Sequence, residues 1–170
     1  ALAELAGLRR RVTNGTVVGY LDRTLAGIAT DRAVSTIELA EAAVPVVEEA
    51  NATRSVLATE RHRIEELLAT EHTWEPIVWM ERYRDHPLSR GFAARMVWQF
   101  DIDDTWVSGL PGERRDVAVA LDGQRIDVTR ARQVRLWHPH REPVEEVRSW
   151  RSAVIEAQIE ELKTLYAADN

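Results

Sequence analysis

Cysteine is absent from this chain. That excludes a disulfide framework, a zinc–thiolate site and a thiol nucleophile. Lysine is almost absent: Lys163 stands alone, so arginine supplies the rest of the 22 basic residues. Glycine is scarce, at eight residues, and none falls in a GxxxxGK[ST], GxGxxG or GxSxG pattern. A nucleotide-binding loop and a serine-hydrolase elbow are therefore not expected. No apolar run approaches the roughly 20 residues of a membrane span. Position 1 is alanine, the opening already looks helical and the end runs out inside a helical pattern. Both ends, with no signal-peptide pattern at the start, lead us to expect a segment of a longer protein. What is present is ordinary globular material: 170 residues, net charge −6, 45% hydrophobic, 29% charged, with six tryptophans. This length fits one domain or one domain with an appendage.

The first half carries helical spacing. Leu2, Leu5, Leu8 and Val12 form one stripe, stopped by Thr13-Asn14-Gly15, and Val18, Leu21, Leu25 and Ile28 form a second. Ser35 and Glu38 make an S-x-x-E capping box, opening a short helix that should end before Pro45. A longer helix is expected over about 47–71, with Leu57, Ile64, Leu67 and Leu68 on one face. Thr73 reads as the N-cap of a helix over about 74–84, with Pro76 in its first turn. Trp79 and Tyr83, four apart, should both face the core.

The second half alternates. Met96, Trp98 and Phe100 interleave with Val97 and Gln99, and Val117, Val119 and Leu121 repeat the pattern. Asp122-Gly123 then reads as a type I′ hairpin turn before Arg125–Val128, and Gln133–Trp137 gives a further strand. Pro143 should sit at the first position of a closing helix that carries Val144, Val147, Trp150, Val154, Ile159, Leu162 and Tyr166. The expected fold is α+β: N-terminal helices, a small antiparallel β-meander over about residues 94–137, and a long C-terminal helix packed on it. The expected organisation is a helical segment 1–46 followed by a core domain 47–170.

Several ordered motifs carry a family resemblance. They are Glu60–Trp74, then Trp79-Met80-Glu81-Arg82-Tyr83-Arg84-Asp85-His86-Pro87-Leu88, then Ala94–Phe100 with Arg95 and Trp98. Val134–Pro139, holding Arg135, Trp137 and His138, follows, then Pro143–Val147 and Trp150-Arg151. Together they resemble the bacterial domain-of-unknown-function 4132 family, also called MolR-like. Leu5–Val12 and Val34–Pro45 are similar to the region preceding that domain in long members. The chain departs from the family pattern in two places. Val46 runs into the next helix where members continue with a β-rich, glycine-containing segment. Glu160–Thr164 replaces a Gln-Pro-Phe-Lys-Gln motif. The resemblance implies a cytoplasmic protein, often joined to WGR-type domains and found beside AAA+ ATPases and von Willebrand A-type proteins. It supplies no catalytic residues. Asp85, His86, Pro87, Arg95, Trp98, Arg135, Trp137, His138, Pro139 and Trp150 are its motif residues, of unassigned role.

The residues themselves suggest three chemistries. Proline holds each histidine of Asp85-His86-Pro87 and Trp137-His138-Pro139 extended, as a base or a turn-closing acceptor would be. His138 and His140 have a spacing that two metal ligands can use; a third ligand would have to come from His62, His72, His86 or a carboxylate, and no metal or other cofactor is expected. Residues 112–141 carry seven arginines against Glu113, Asp116, Asp122 and Asp127, net +3 inside an acidic chain, and Arg9-Arg10-Arg11 is a second basic cluster. Arg125, Arg130, Arg132 and Arg135 could therefore contact phosphate or nucleic acid. The tryptophans, by spacing, belong to the core rather than to a base-stacking platform. The apolar stripe of the last helix runs further than a small sheet would cover. We therefore expect a non-catalytic protein-interaction or scaffold domain with protein partners, an AAA+ ATPase system among them by resemblance, and no membrane contact. Nucleic-acid binding through the arginine-rich hairpin region is the alternative. An enzyme or metal site around the His-Pro motifs is a second.

Overall fold

The computed structural model describes Leu5, Leu8, Arg9 and residues 12–32 and 35–168; for Arg32 and 160–168 it describes the backbone alone. The expectations for Leu2, Arg10, Arg11 and Val34, and for the side chains of Leu162, Lys163 and Tyr166, lie outside the described residues. The chain forms two compact units, Ala1–Glu65 and Glu66–Asn170.

The first unit is helical. Helix α1 (Gly15–Arg32) opens beneath the Asn14 side chain, whose oxygen accepts from the Thr16 and Val17 N–H groups at 3.1 and 3.4 Å. Helix α2 (Thr36–Ala42) carries the expected capping box: Glu38 N–H donates to Ser35 Oγ at 3.1 Å, and Ser35 N–H to Glu38 Oε2 at 2.6 Å. It stops before Pro45, as expected. The helix expected over about 47–71 is interrupted: a 3₁₀ turn occupies Glu49–Asn51, and α3 (Arg54–Leu68) starts only after Thr53, whose hydroxyl accepts from Val56 N–H. Its buried stripe also differs. Ile64 and Leu67 are buried, but Leu68, 100° further round the helix, is exposed, and a buried Glu60–Arg63 pair shares the inner face.

The second unit is a six-stranded antiparallel sheet in the order β1-β6-β2-β3-β4-β5. The strands are β1 (Thr73–Trp74), β2 (Trp98–Ile102), β3 (Thr105–Pro111), β4 (Val117–Val119), β5 (Arg125–Asp127) and β6 (Val134–Leu136). Strands β2 to β5 form a meander, with β3 a strand that the alternation did not pick out; the expected last strand, β6, does not continue it but returns to the free side of β2, and β1 pairs beyond it. The expected N-cap at Thr73 is thus overturned. Thr73 and Trp74 pair with Arg135 and Val134, and helix α4 (Pro76–Trp79) begins only after Glu75, which makes no side-chain cap, with Pro76 at its start. A π turn (Met80–Arg84) continues α4, with Asp85 N–H donating to Met80 O at 2.8 Å, and a short α5 (Arg90–Ala94) follows.

The hairpin turns also differ from expectation. The type I′ requirement of positive φ at both central residues is met by Asp103 (51°) and Asp104 (63°), which join β2 to β3. At the Asp122-Gly123 site only Gly123 is left-handed (φ 82°), and Gly123 N–H donates to Ala120 O at 2.9 Å. A β-turn followed by a left-handed glycine, the commonest three-residue hairpin connection, therefore stands there.

One face of the sheet holds the core. Trp98 and Phe100 of β2 meet Trp79 at 5.4 Å each, and Tyr83 lies 5.2 Å from both Trp74 and Trp98, all but one of these contacts edge-on. Trp79, Tyr83, Trp98 and Phe100 are completely buried, as their spacing predicted. Helix α6 (Val144–Ala168) lies on the other face through its first turns, where Glu146 reaches Ser108 and Trp150 is buried. Pro143 precedes α6 rather than occupying its first position, and its carbonyl accepts from Val147 N–H at 3.1 Å. This α+β arrangement is the one expected, with the long helix closing the sheet.

Candidate functional site

The two His-Pro motifs prove to be the same local device. His86 Nδ1 accepts from the Leu88 and Ser89 N–H groups, each at 3.3 Å, and so closes the turn that opens α5. His138 Nδ1 accepts from His140 N–H at 3.2 Å and closes the 3₁₀ turn Pro139–Arg141. In both, the following proline fixes the backbone while the imidazole supplies the acceptor that the next turn needs. Asp85 pairs with Arg115 at 2.8 Å, which ties the loop after β3 to the end of the π turn. The His138 and His140 rings stack at 5.0 Å. Partial burial, His140 and Arg141 together hold the His138 imidazole below its ordinary range. Among the described residues no three His, Asp or Glu side chains converge as metal ligands would.

The arginines predicted as phosphate contacts are dispersed. Arg130 pairs with Asp103 at 3.1 Å, and Arg132 pairs with Asp101 at 2.9 Å and also with Asp104. These carboxylates lie at the β2–β3 hairpin, which the local count over 112–141 did not include. Arg125 is exposed at the start of β5. Arg135 is half-buried: its guanidinium lies 4.0 Å over the Trp106 ring and its Nε donates to Gln99 Oε1 at 2.8 Å. Burial, then Arg141, lowers its pKa from the ordinary arginine value.

Gln99 itself anchors a polar row that the sequence did not reveal. The register places Ser108, Gln99 and Arg135 side by side across β3, β2 and β6. Gln99 Nε2 donates to Glu142 Oε1 at 2.6 Å, and Ser108 Oγ donates to Glu146 Oε1 at 3.5 Å. Burial pushes the Glu142 carboxyl up, with Glu146 adding to the shift, while the Gln99 hydrogen bond and Arg135 oppose it. Gln99 interleaves with Trp98 and Phe100 and so points to the opposite face of β2, where it is 2% exposed because the start of α6 covers it. Only a local excess of glutamates at the start of that helix hinted at the pairing.

The remaining motif residues fall into two groups. Trp98 belongs to the core and donates from Nε1 to Ala93 O at 3.0 Å, while Arg95 is exposed beside a cleft of about 200 Å³ formed with Leu110 and Val154. Trp137, Pro139 and Trp150 are instead gathered into one place. With Val97, Val154 and Ile155 they line an apolar groove of about 510 Å³ alongside α6. The Trp137 and Trp150 indole N–H groups are buried there without a hydrogen-bond partner among the described residues. Ile155 in the groove wall and Ile159 one turn further along the helix are about half exposed, at 50% and 47%.

The fold and this surface define a small α+β domain with an apolar groove beside its long helix, walled also by residues just before β2 and just after β6. A family model described as Domain of unknown function (DUF4132) matches residues 33–162, and the chain belongs to that family. No curated protein and no solved structure matches the chain.

Proposed function

We propose that this domain is a non-catalytic protein-interaction module of a larger bacterial multiprotein system, acting in the cytoplasm. The observation that carries the reading is the apolar groove beside α6, continued by the exposed Ile155 and Ile159. Exposed aliphatic side chains next to tryptophan and proline are the composition of a protein contact and not of a polar-substrate cleft. The His-Pro imidazoles each accept backbone N–H groups in closing a turn, and the hydroxyl beside His86, Ser89 Oγ at 3.3 Å from Nδ1, is completely buried. The family resemblance adds an AAA+ ATPase system as the setting in which such a module would work.

A photo-reactive amino acid placed at Ile155, and separately at Arg125, tests the reading in cells that make the protein. Protein adducts at Ile155 with few at Arg125 are expected. Adducts to nucleic acid at Arg125, with none to protein at Ile155, would replace this reading with the basic-hairpin one. Among the described residues no helix is long and apolar enough to cross a membrane.

A further inference from the structure

We propose that Asn14-Gly15, at the start of α1, is a site of spontaneous deamidation that changes both the charge and the cap of that helix. Water is the only co-reactant. The Gly15 backbone nitrogen bonds to Asn14 Cγ and closes a succinimide, and the Asn14 side-chain nitrogen leaves as ammonia. Water then opens the ring. Cleavage of the new Cγ–N bond leaves aspartate; cleavage at the Asn14 carbonyl carbon leaves isoaspartate, with the chain running through Cγ. In sum an amide and water become an acid and ammonia, with no oxidation or reduction.

The nucleophile is accessible. Asn14 and Gly15 are both exposed, and Asn14 is the one asparagine in the sequence that a glycine follows. A side chain on the following residue obstructs ring closure, and Gly15 has none. The Gly15 N–H is among the donors that the first turn of a helix leaves without an intrahelical partner, and it makes no hydrogen bond among the described residues. The chief backbone restraint on closure is the bond from Val18 N–H to Asn14 O at 2.9 Å, which sits at a helix end, where fraying is routine. Asp122-Gly123 makes a useful contrast. There the glycine N–H donates to Ala120 O at 2.9 Å, so its nitrogen is engaged.

The electrophile is polarised by the cap. Thr16 and Val17 N–H groups donate to Asn14 Oδ1 at 3.1 and 3.4 Å. This oxygen gains negative charge as the nitrogen adds to Cγ, so the two donors stand where that charge develops. The two products then act oppositely on α1. Aspartate keeps the capping oxygen and adds a negative charge at the helix start, where the dipole favours it. Isoaspartate lengthens the backbone by a methylene and draws the capping oxygen out of register with Thr16 and Val17.

The test follows the full chain in mildly alkaline buffer at physiological temperature, with tryptic peptides 12–23 and 33–54 read by mass spectrometry. Asn14 should convert at least about tenfold faster than Asn51, which precedes Ala52. Aspartate and isoaspartate forms of the first peptide should separate by chromatography. Gly15→Ala should slow the conversion about tenfold or more. Its melting temperature should not fall, because a Cβ at Gly15 meets nothing within 4 Å. Asn14→Asp, identical with one product, should melt at or above the parent, and the isolated isoaspartate form below it. Conversion at Asn14 no faster than at Asn51, or a Gly15→Ala chain that converts at the parent rate, overturns the proposal. An Asn14→Asp chain that melts below the parent overturns its account of the cap.

Discussion

Gly109 shows how one residue position can constrain a sheet. It pairs with Trp98 on the core face, and a Cβ added there would meet Ile126 Cδ1 at 2.8 Å, Val119 O at 3.2 Å and Ala118 Cβ at 3.3 Å. The Ile126 side chain, itself buried, would have to turn aside, and the carbonyl oxygen belongs to the β4 backbone, which cannot. Gly109→Ala should therefore destabilise the protein by about 1–3 kcal/mol, as overpacking does. A lowered urea midpoint with unchanged m-value checks it. Glu142 makes a second residue-scale prediction. Burial raises its pKa, so the folded state holds this proton more tightly than the unfolded chain does. The contribution of this group is complete below the ordinary carboxylate range and is lost as pH rises through the folded-state value. Glu142→Gln keeps an acceptor for Gln99 and removes the buried charge. Its melting temperature should exceed that of the parent at neutral pH, with the difference closing as pH falls toward about 4. A constant offset across pH would show that charge burial is not the cause.

Caps and turns decide the elements. The Ser35–Glu38 box was readable because both partners lie within four residues, and Ser35→Ala should cost about 1 kcal/mol by thermal unfolding. Thr73 was misread for the opposite reason: its strand conformation depends on Arg135, which is remote in sequence. The β2–β3 turn escaped notice because Asp103-Asp104 lacks the glycine that ordinarily marks a type I′ turn. Arg130 and Arg132 pair with these aspartates, so the turn and the arginines offset each other's charge. The His-Pro motifs were legible as turn closers, since proline restricts its predecessor locally whatever the fold.

At the scale of the whole molecule, charge is distributed differently from its linear order. The net +3 stretch 112–141 folds against carboxylates at 101, 103 and 104, and Arg135 lies against Trp106. Oligonucleotide binding measured by fluorescence anisotropy should accordingly be weak. It should lack the steep salt dependence of a phosphate-tracking surface and be unaffected by Arg125→Glu, Arg132→Glu and Arg135→Glu together. Strong binding lost on this reversal would restore the basic-hairpin reading. The groove beside α6 exists only at this scale, because its walls come from Val97 before β2, from Trp137 and Pro139 after β6, and from the long helix.

Periodicity, capping and proline placement by themselves determined the helices, most strands, the α+β class and the tryptophan core, because each depends on residues a few positions apart. The family motifs were also legible, as ordered blocks along the chain. Tertiary structure alone decided which polar residues are buried and which arginines are neutralised. It also decided which apolar residues remain uncovered. Gln99 points away from the tryptophan core and lies under Glu142, while Ile155 has the hydrophobicity of a core residue and lies half in solvent. Burial is set by what folds back over a position, and that partner is 43 residues away for Gln99.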